Sequence, residues 1–294
     1  MNPVVSIACI SYNHANYIRD CLDGFLRQET NFPFEIVIHD DASTDETQDI
    51  IREYAQRYPD LFFPLLQTEN QYSKLGGGII VRFNYPRCRG RYIAICEGDD
   101  YWTDKYKLQK QFDFMEAHPE FNLCGHKAWK ADDAGNHIAL MGNFDKDVFE
   151  FDDVAVRYRP IPTSSIFFRN NLDFPEWYYR VYGGDRACIY LNAQKGKIKI
   201  MDFIGSTYRV HAGGLEQRFK KEKFSLPIRN IKEDQVYYSI SKIQKHRRRL
   251  AKRILKSHFY LLYWAFRKKE WNRFFKTFSS LGSFILSGKS GAIQ

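Results

Sequence analysis

The sequence predicts an α/β fold in which a parallel sheet carries helices on both faces. Two apolar stretches of strand length alternate with two amphipathic stretches of helical spacing, and the order is Val4–Ile10, Tyr17–Gln28, Phe34–Ile38 and Glu46–Tyr58. A strand–helix–strand–helix series of this kind builds a parallel sheet. A further apolar strand, Tyr92–Cys96, runs directly into clustered acids, which places those acids where open α/β sheets bind ligands.

The spacing of apolar residues predicts the remaining elements of the first part of the chain. Asp104 is the expected N-cap of the helix that follows the Tyr92 strand. Gly183 and Gly184 precede a short helix that ends at Gly196. In chain order we expect a strand at Leu61–Leu66, a glycine-rich loop at Gln67–Gly78, a helix at Ile79–Arg89, a helix at Asp104–Ala117, strands at Phe121–Trp129 and Ser164–Arg169, a helix at Arg186–Gln194, and strands at Lys197–Ile204 and Ser206–Val210.

The charge distribution divides the chain near residue 217. Residues 218–294 hold 20 Lys and Arg against 4 Asp and Glu, a formal charge of +16, whereas residues 1–217 carry −7. The basic part is predicted to be helical, at 230–256 and at 271–286. An acidic body with a basic extension is expected to meet an anionic partner through that extension.

The six cysteines show no CxxC pair and no metal-ligand spacing. Several lie in apolar stretches, which is typical of reduced, buried thiols in a cytosolic protein. No basic segment precedes Val4–Ile10, and no apolar run reaches 18 residues. We therefore expect a cytoplasmic protein without a signal peptide or a spanning helix.

Two sets of acids end two separate strands of the predicted sheet. Asp40 and Asp41 follow one strand, and Glu97, Asp99 and Asp100 follow the other. In a parallel sheet both sets open onto the same edge. The first set has acceptors for a nucleobase or a ribose, and the second suits a divalent cation that bridges a pyrophosphate. A solvated acidic turn that caps the next helix is the alternative for the second set.

Three stretches of the chain resemble the successive signatures of family 2 glycosyltransferases with the GT-A fold. They are Val5–Asn13, Ile36–Asp45 and Tyr92–Asp100. The resemblance covers residues 3–215. It implies a Rossmann-like mixed sheet with helices on both faces, a nucleotide-sugar half at about 1–115 and an acceptor half at 116–217. Residues 218–294 then form a basic, aromatic-rich helical extension.

The resemblance also implies roles for individual residues. Glu97 stands where many relatives have Asp, so a ribose or a metal role stays open for it. Arg82 is a candidate for phosphate contact, with ordinary surface charge as the alternative. The implied cofactor is Mn²⁺ or Mg²⁺. The implied donor-binding residues are Ile10, Ser11, Tyr12, Asp41, Arg82, Glu97, Gly98 and Asp99, and the implied metal ligands are Asp99, Asp100 and His211.

Asp185 is the candidate catalytic base. An inverting transfer needs a carboxylate that deprotonates the acceptor hydroxyl, and Asp185 follows two glycines at a predicted helix start. Relatives place a catalytic Asp at a comparable position. A plain helix cap is the alternative. Arg209 or His211, near the end of the last strand, is placed to reach the leaving diphosphate or the metal.

The predicted function is metal-dependent, inverting transfer of a sugar from a UDP- or dTDP-sugar to a glycan or lipid-linked acceptor in bacterial surface polysaccharide synthesis. A sugar-nucleotide pyrophosphorylase is one alternative, but it needs a glycine-rich basic loop where this chain has Ser11–His14. A nucleotide-sugar binding protein without catalysis is the other. Basic residues beside aromatic ones at 242–266 suit an anionic membrane surface, so we expect peripheral attachment at the inner face of the cell membrane. A helical cap on the catalytic domain and, least favoured, nucleic-acid binding are the alternatives for this segment.

Overall fold

The computed structural model describes residues 2–156, 161–214 and 224–290. Its contacts divide the chain into two compact units, Met1–His211 and Ala212–Gln294. The boundary predicted near residue 217 lies outside the described residues. All six cysteines are free and buried, in agreement with the sequence analysis.

The first unit is organised around one mixed sheet with the order β3-β2-β1-β4-β9-β6-β10-β5, where β7 pairs with β6 and β8 with β10. The α/β prediction is therefore confirmed. The strands are β1 (Val5–Ser11), β2 (Phe34–Asp40), β3 (Phe62–Leu66), β4 (Tyr92–Glu97), β5 (Tyr101–Trp102), β6 (Phe121–Asp132), β7 (His137–Met141), β8 (Val148–Phe149), β9 (Phe167–Arg169) and β10 (Lys197–Val210).

The parallel half of the sheet brings the two sets of acids to one edge. β1 lies between β2 and β4 and is parallel to both. At its end Ser11 pairs with Asp40, while Ile10 pairs with Glu97. Because all three strands end at the same level, the loops that follow them are neighbours, as the sequence predicted.

The other half joins this edge through β10. β10 runs parallel to β6 along most of its length and pairs with β5 through Ser206 and Trp102. β9 lies between β4 and β6 and is antiparallel to both. This mixed pairing carries the end of β10 back to the acidic turn between β4 and β5.

Helices cover the sheet and bury its apolar side chains. Fully buried side chains from β1, α1 and β4, such as Ile7, Phe25 and Tyr92, form one core with Leu108 and Phe167. The helices of this unit are α1 (Ile18–Leu26), α2 (Thr47–Arg57), α3 (Gln71–Leu75), α4 (Lys107–Ala117), α5 (Phe151–Val154) and α6 (Gly184–Lys195).

The structure corrects three predictions at the edges of elements. The predicted loop at Gln67–Gly78 contains the short helix α3, which Asn70 caps by accepting from the Ser73 N–H. The predicted helix at Ile79–Arg89 is a π-helical turn followed by a 3₁₀ turn, because Pro86 cannot continue an α-helix. The N-cap of α4 is Tyr106 instead of Asp104. Asp104 lies just before the helix, and its carboxylate accepts a hydrogen bond from the Tyr106 N–H.

Two strand predictions also change. The strand predicted at Ser164–Arg169 begins only at Phe167, because Thr163–Ser165 forms a 3₁₀ turn. The two strands predicted on either side of Gly205 are one strand, β10, with irregular register between Met201 and Ser206. A Cβ on Gly205 would lie 2.8 Å from the His126 ring, so glycine lets the strand continue past that ring.

The second unit is helical in its described part. The single helix predicted at 230–256 is two helices, because Ser241 and Ile243 are extended and interrupt the spacing. The helices are α7 (Ser225–Ile240), α8 (Gln244–Arg267) and α9 (Trp271–Ser290). Within the ranges that the structure describes, no helix combines the length and the apolar character that crossing a bilayer requires.

Lys107, the first residue of α4, is an unusual component of the core. Its side chain is completely buried, and Nζ lies 3.8 Å from the centre of the Trp102 ring. Nζ has no hydrogen-bond partner in the described part of the chain. Burial lowers the pKa of Lys107 from 10.5 to about 7, because the charged form is poorly solvated there.

We expect Lys107→Met to stabilise the protein at neutral pH. Unfolded Lys107 keeps its proton up to about pH 10.5 and folded Lys107 releases it near pH 7, so the unfolded state binds more protons in between. The free energy of unfolding of the wild type therefore rises with pH across this window. The substitution should add about 2–4 kcal/mol at pH 7, and the gain should shrink toward pH 10.5.

Urea unfolding at several pH values measures this difference. Lys110→Met, which alters a lysine that is 42% exposed on the same helix, is the control and should leave the pH dependence of stability unchanged. A Lys107→Met protein with the wild-type pH profile would show that folding does not lower the pKa of Lys107.

Candidate functional site

The carboxylate of Asp99 is the centre of the site at the end of β4. His211 Nε2 lies 3.0 Å from Asp99 Oδ2, and His14 Nε2 lies 3.6 Å from the same oxygen. The three side chains come from three segments, since His14 follows β1, Asp99 follows β4 and His211 follows β10. The sheet topology therefore assembles one carboxylate and two imidazoles from distant parts of the sequence.

The charge of this group follows from its surroundings. Burial by itself raises the pKa of Asp99, but the hydrogen bond with His211 and the neighbouring His14 outweigh burial, and the pKa lies below its ordinary value. Burial lowers the pKa of His14 below its ordinary value, although Asp99 opposes this. At neutral pH we expect an ionised Asp99 that accepts a hydrogen bond from His211.

Asp100 and Arg209 hold the acidic turn in place. Asp100 is completely buried, and its Oδ1 accepts a hydrogen bond of 2.9 Å from the Arg209 N–H. The Arg209 guanidinium in turn donates to the Asp99 carbonyl at 3.3 Å and to Asp20 at 2.7 Å, between the rings of Tyr17 and Tyr101. Both groups therefore help to fix the turn. Asp100 Oδ2 accepts no hydrogen bond from the described residues, so the metal role of Asp100 and a phosphate contact by Arg209 stay predictions.

Buried surroundings also change the charge of Asp100. Burial, with the nearby carboxylates of Asp99 and Glu97, raises the pKa of Asp100 well above its ordinary value. A carboxyl group with these neighbours favours the protonated form, in contrast to Asp99 one residue earlier. The two adjacent acids therefore have different environments and different roles.

The loops after β1 and β2 are tied together by a second buried acid, Asp40. Its carboxylate accepts hydrogen bonds from Ser11 Oγ, Ser43 N, Ser43 Oγ and Gln48 Nε2 at 2.5–2.9 Å. Asp40 thus organises the loops and has little capacity left for a nucleobase. The Ser11 hydroxyl donates to Asp40 and keeps its acceptor lone pairs, so the predicted place of Ser11 in the donor pocket stays a prediction.

Two residues in these loops have left-handed backbone conformations. Asn13 has φ 55° and Ala42 has φ 61°. Asparagine adopts this region readily, whereas alanine does not. The Asn13 N–H donates to Ser43 Oγ at 2.8 Å, and Asn13 Oδ1 accepts from the Thr44 N–H at 2.8 Å. These bonds hold the backbone in a conformation that is costly for Ala42, as is common where a ligand site is pre-organised.

Asp41 binds the first turn of α3, whose N-cap is Asn70. Its two carboxylate oxygens accept from the Gln71 and Tyr72 N–H groups at 2.7 and 2.9 Å, and its own N–H donates to the Ser11 carbonyl at 3.0 Å. Asp41 therefore sets the position of α3 over the edge of the sheet. Each oxygen keeps a second lone pair, so the predicted contact with a nucleobase remains compatible with this geometry.

The other predicted donor-binding residues lie around the same edge. Ile10 and Glu97 are half-buried at the ends of their strands, and Tyr12 is exposed. A Cβ on Gly98 would lie 2.8 Å from Ile18 Cδ1 and 3.0 Å from His14 Nδ1, so glycine is needed for close packing here. Arg82 differs from this group, because its guanidinium stacks 4.2 Å from the centre of the Tyr179 ring.

Asp185 is the second residue of α6, on an element separate from the Asp99 group. The N-cap of α6 is Gly183, so the plain capping role that was the alternative for Asp185 is not observed. Asp185 is half-buried in the first helical turn, where the helix dipole favours a negative charge. The Tyr178 hydroxyl donates to the Gly184 carbonyl at 2.8 Å and fixes this turn.

Sequence reasoning missed two residues of the site. His14 belongs to a segment that was interpreted only as a polar turn, and Tyr17 was assigned only to the first helix. The Tyr17 ring lies 4.5 Å from the His211 ring, and its hydroxyl donates to Asp133 at 2.8 Å. His14 could have been found, because it follows β1 at the same edge as the acids. The contact of Tyr17 depends on the path of β10 and has no signal in the local sequence.

Asp99 and His211 have the chemistry and the spacing of two ligands to one divalent cation. Carboxylate oxygen and imidazole nitrogen both bind Mn²⁺, and neighbouring ligands of an octahedral ion at about 2.1 Å lie about 3.0 Å apart. The observed distance of 3.0 Å between Asp99 Oδ2 and His211 Nε2 matches this spacing. No group of three or more His, Cys, Asp or Glu residues that could hold a metal ion occurs in the described ranges. A cation at this position would therefore need phosphate or water oxygens to complete its coordination.

Comparison with known proteins gives the family context. The family model described as Glycosyl transferase family 2 matches residues 6–169, which is more than half of the chain. A protein of Mycobacterium tuberculosis is 38% identical over 215 residues, which are 72% of this chain and 60% of the relative. The chain thus spans 60% of the length of that relative.

Two named proteins are also similar. The UDP-Glc:alpha-D-GlcNAc-diphosphoundecaprenol beta-1,3-glucosyltransferase WfaP of Escherichia coli is 28% identical over 225 residues, covering 74% of this chain and 82% of the relative. The solved mannosyltransferase PcManGT of Pyrobaculum calidifontis, in complex with GDP-Man and Mn²⁺, matches with a TM-score of 0.60 at 14% identity, over 100% of this chain and 81% of that chain. At that identity the match supports the fold alone, and the GT-A fold expected from the sequence is confirmed. The match of the family model over more than half of the chain shows that this chain belongs to glycosyl transferase family 2.

Proposed function

We propose that the protein transfers a sugar from a UDP- or dTDP-sugar to a glycan or lipid-linked glycan acceptor, with inversion at the anomeric carbon. The observation that carries this proposal is the Asp99 carboxylate with its two imidazoles, at the edge of a family 2 sheet. The alternative of a sugar-nucleotide pyrophosphorylase has no comparable support, since the family match points to glycosyltransferases, which transfer sugars, and not to enzymes that transfer nucleotides.

The donor would lie along the edge formed by the ends of β1, β2 and β4. The loop fixed by Asp40 and the carboxylate of Asp41 would contact the nucleobase and ribose, together with Ile10 and Tyr12. Glu97 and Asp99 would lie nearer the diphosphate. The predicted role of Arg82 as a phosphate contact requires that its guanidinium leave the Tyr179 ring.

Asp99 and His211 are the residues that would hold Mn²⁺ or Mg²⁺. When bound, the cation would supply positive charge that offsets the negative charge on the departing diphosphate. Asp100 and Arg209 would not need to contact the cation. They would position Asp99 by fixing the backbone of its turn. This division assigns ligand contact to one acid of the pair and positioning to the other.

Asp185 would be the general base of the reaction. The acceptor hydroxyl would give its proton to Asp185 as its oxygen forms a bond to the anomeric carbon. The bond between that carbon and the phosphate oxygen would break, and the diphosphate would leave with the electron pair. Attack from the face opposite the leaving group inverts the anomeric configuration.

The acceptor class is inferred from a relative. WfaP is named for transfer to a sugar on diphosphoundecaprenol, which is a lipid-linked acceptor. A similar acceptor here would place the reaction at the cytoplasmic face of the cell membrane, in the synthesis of a surface polysaccharide. The basic extension at residues 218–294 is consistent with work at an anionic surface.

The role of Asp99 predicts a metal-dependent effect on stability. UDP, dTDP and GDP sugars should be screened by thermal unfolding with Mn²⁺ and with a chelator. The preferred donor should raise the melting temperature in Mn²⁺ only, since a ligand that binds the folded state stabilises it. Asp99→Asn should abolish this increase.

Asp202→Asn is the matched control, because Asp202 is an exposed carboxylate paired with Lys127. It should respond to donor and metal as the wild type does. An Asp99→Asn protein that keeps the full metal-dependent shift would contradict the assignment of Asp99.

The role of Asp185 predicts loss of transfer without loss of donor binding. With the donor chosen by the screen and a polyprenyl-diphosphate-linked sugar as acceptor, Asp185→Asn should lower the transfer rate about 10²–10⁴-fold, the usual contribution of a general base. The donor-induced thermal shift should persist. Release of nucleoside diphosphate measures the rate.

Asp173→Asn, which changes an exposed carboxylate paired with Lys195, is the control for this test. Its transfer rate should stay within about twofold of wild type, as surface ion pairs contribute little. Transfer by Asp185→Asn at the wild-type rate would refute the base assignment. A wild-type protein that binds donor but transfers nothing would favour the non-catalytic alternative.

A further inference from the structure

One exposed stripe runs along the whole of α8. Its members recur at alternating steps of four and three residues, so they lie on a single side of the helix. The first half of the stripe is basic and the second half is aromatic. The stripe consists of Lys245, Arg249, Lys252, Lys256, Phe259, Tyr263 and Phe266, all of them exposed.

A second stripe on α9 continues the aromatic half of the first. Phe266 of α8 lies 5.8 Å from the Trp271 ring and 6.4 Å from the Phe274 ring, measured between ring centres. The side chains therefore join across the turn between the two helices. The exposed members on α9 are Trp271, Phe275, Phe278, Ile285 and Leu286. We call the two stripes together the basic–aromatic face.

The opposite side of α8 already supplies the core of the C-terminal unit. Ile254 and Leu261 are buried in that core, and His258 links the helix to Ser280 of α9 by a hydrogen bond of 3.2 Å. The rings of the basic–aromatic face are not needed for this core. Phe259 is 61% exposed and Phe275 is 64% exposed. An apolar surface of this extent on a basic unit is typical of a docking site.

The charge of the two helices selects the kind of partner. Residues 244–290 contain 13 Lys and Arg and a single acid, Glu270, which pairs with Arg273. A second copy of this face would be repelled by like charge. A nucleic acid would also satisfy the charges, but on the exposed stripe of α8 the basic and the aromatic residues occupy separate halves, which suits a surface with separate charged and apolar layers.

We propose that the basic–aromatic face docks on a bilayer that carries anionic lipid. The basic half of α8 would lie over the phosphate groups of the lipid heads, and the aromatic half with α9 would lie at the boundary of the acyl chains. This inference deepens the proposed location at a membrane. It rests on the surface of the C-terminal unit and stands even if Asp185 proves not to be the base.

Vesicle flotation of the full chain tests the proposal without any sugar substrate. The wild type should float with phosphatidylcholine vesicles that contain phosphatidylglycerol, and less with phosphatidylcholine alone. Binding should weaken as salt is added, because salt screens the basic half. Failure of this test would leave donor binding and transfer, measured separately, unaffected.

Two double variants separate the halves of the face. Lys252→Gln with Lys256→Gln should weaken binding to the anionic vesicles at least about tenfold and reduce its dependence on salt. Phe259→Ser with Phe266→Ser should weaken binding to both kinds of vesicle and keep the dependence on salt. Arg52→Gln with Lys105→Gln removes two exposed charges elsewhere and should bind as the wild type does.

Three outcomes would overturn the proposal. The first is wild-type protein that shows no salt-sensitive association with the anionic vesicles. The second is binding that neither face variant weakens while the melting temperatures stay unchanged. The third is a protein that does not bind vesicles but binds another partner through this face. Self-association in sedimentation that the face variants abolish would assign the face to a second copy, and binding to a mixed-sequence RNA that they abolish would assign it to nucleic acid.

Discussion

The site depends on the attachment between the turn after β4 and the end of β10. Asp100 accepts from the Arg209 N–H, and the Arg209 guanidinium donates to the carbonyl of Asp99, so each strand end holds the other. A buried carboxylate is costly unless hydrogen bonds compensate for the lost water. The hydrogen bond to Asp100 therefore restricts where the end of β10 can lie. The same attachment brings His211 within 3.0 Å of Asp99 and leaves the Asp99 carboxylate partly exposed. Adjacent acids therefore differ in charge and in role because one faces inward and the other outward.

Two neighbouring acids also follow β2, and there both are buried. Asp40 is buried and spends its oxygens on Ser11, Ser43 and Gln48, while Asp41 reaches the backbone of α3. The left-handed conformation of Ala42 is maintained between them, at a cost that these hydrogen bonds offset. Both acids after β2 hold groups of the neighbouring loops, whereas after β4 only Asp100 is completely buried. If the proposed donor binds at this edge, these hydrogen bonds hold the polar groups in place beforehand, which would reduce the entropy lost on binding.

The C-terminal unit differs from the first unit in how its apolar residues are distributed. Its helices divide their apolar residues between a small core and an exposed face, so burial alone does not account for their composition. The basic residues along α8 would make a purely apolar association unfavourable, whereas an anionic surface satisfies both kinds of residue. If the proposals hold, the first unit carries out the reaction and the C-terminal unit attaches the protein to the membrane. Each proposal can be tested without the other.

The sequence by itself determined the α/β class, the parallel start of the sheet and the edge at which the acids meet. These features follow from local periodicity and from the rule that parallel strands end together, which need no knowledge of distant contacts. It also identified Asp99, His211 and Asp185 as candidates, partly through resemblance to a family. Only the tertiary structure decided that Asp100 is completely buried and Asp99 is not, since the two residues have the same chemistry and differ only in what packs against them. The contact of Tyr17 with His211 likewise depends on the path of β10, which joins residues nearly two hundred positions apart, and no local pattern encodes such a contact.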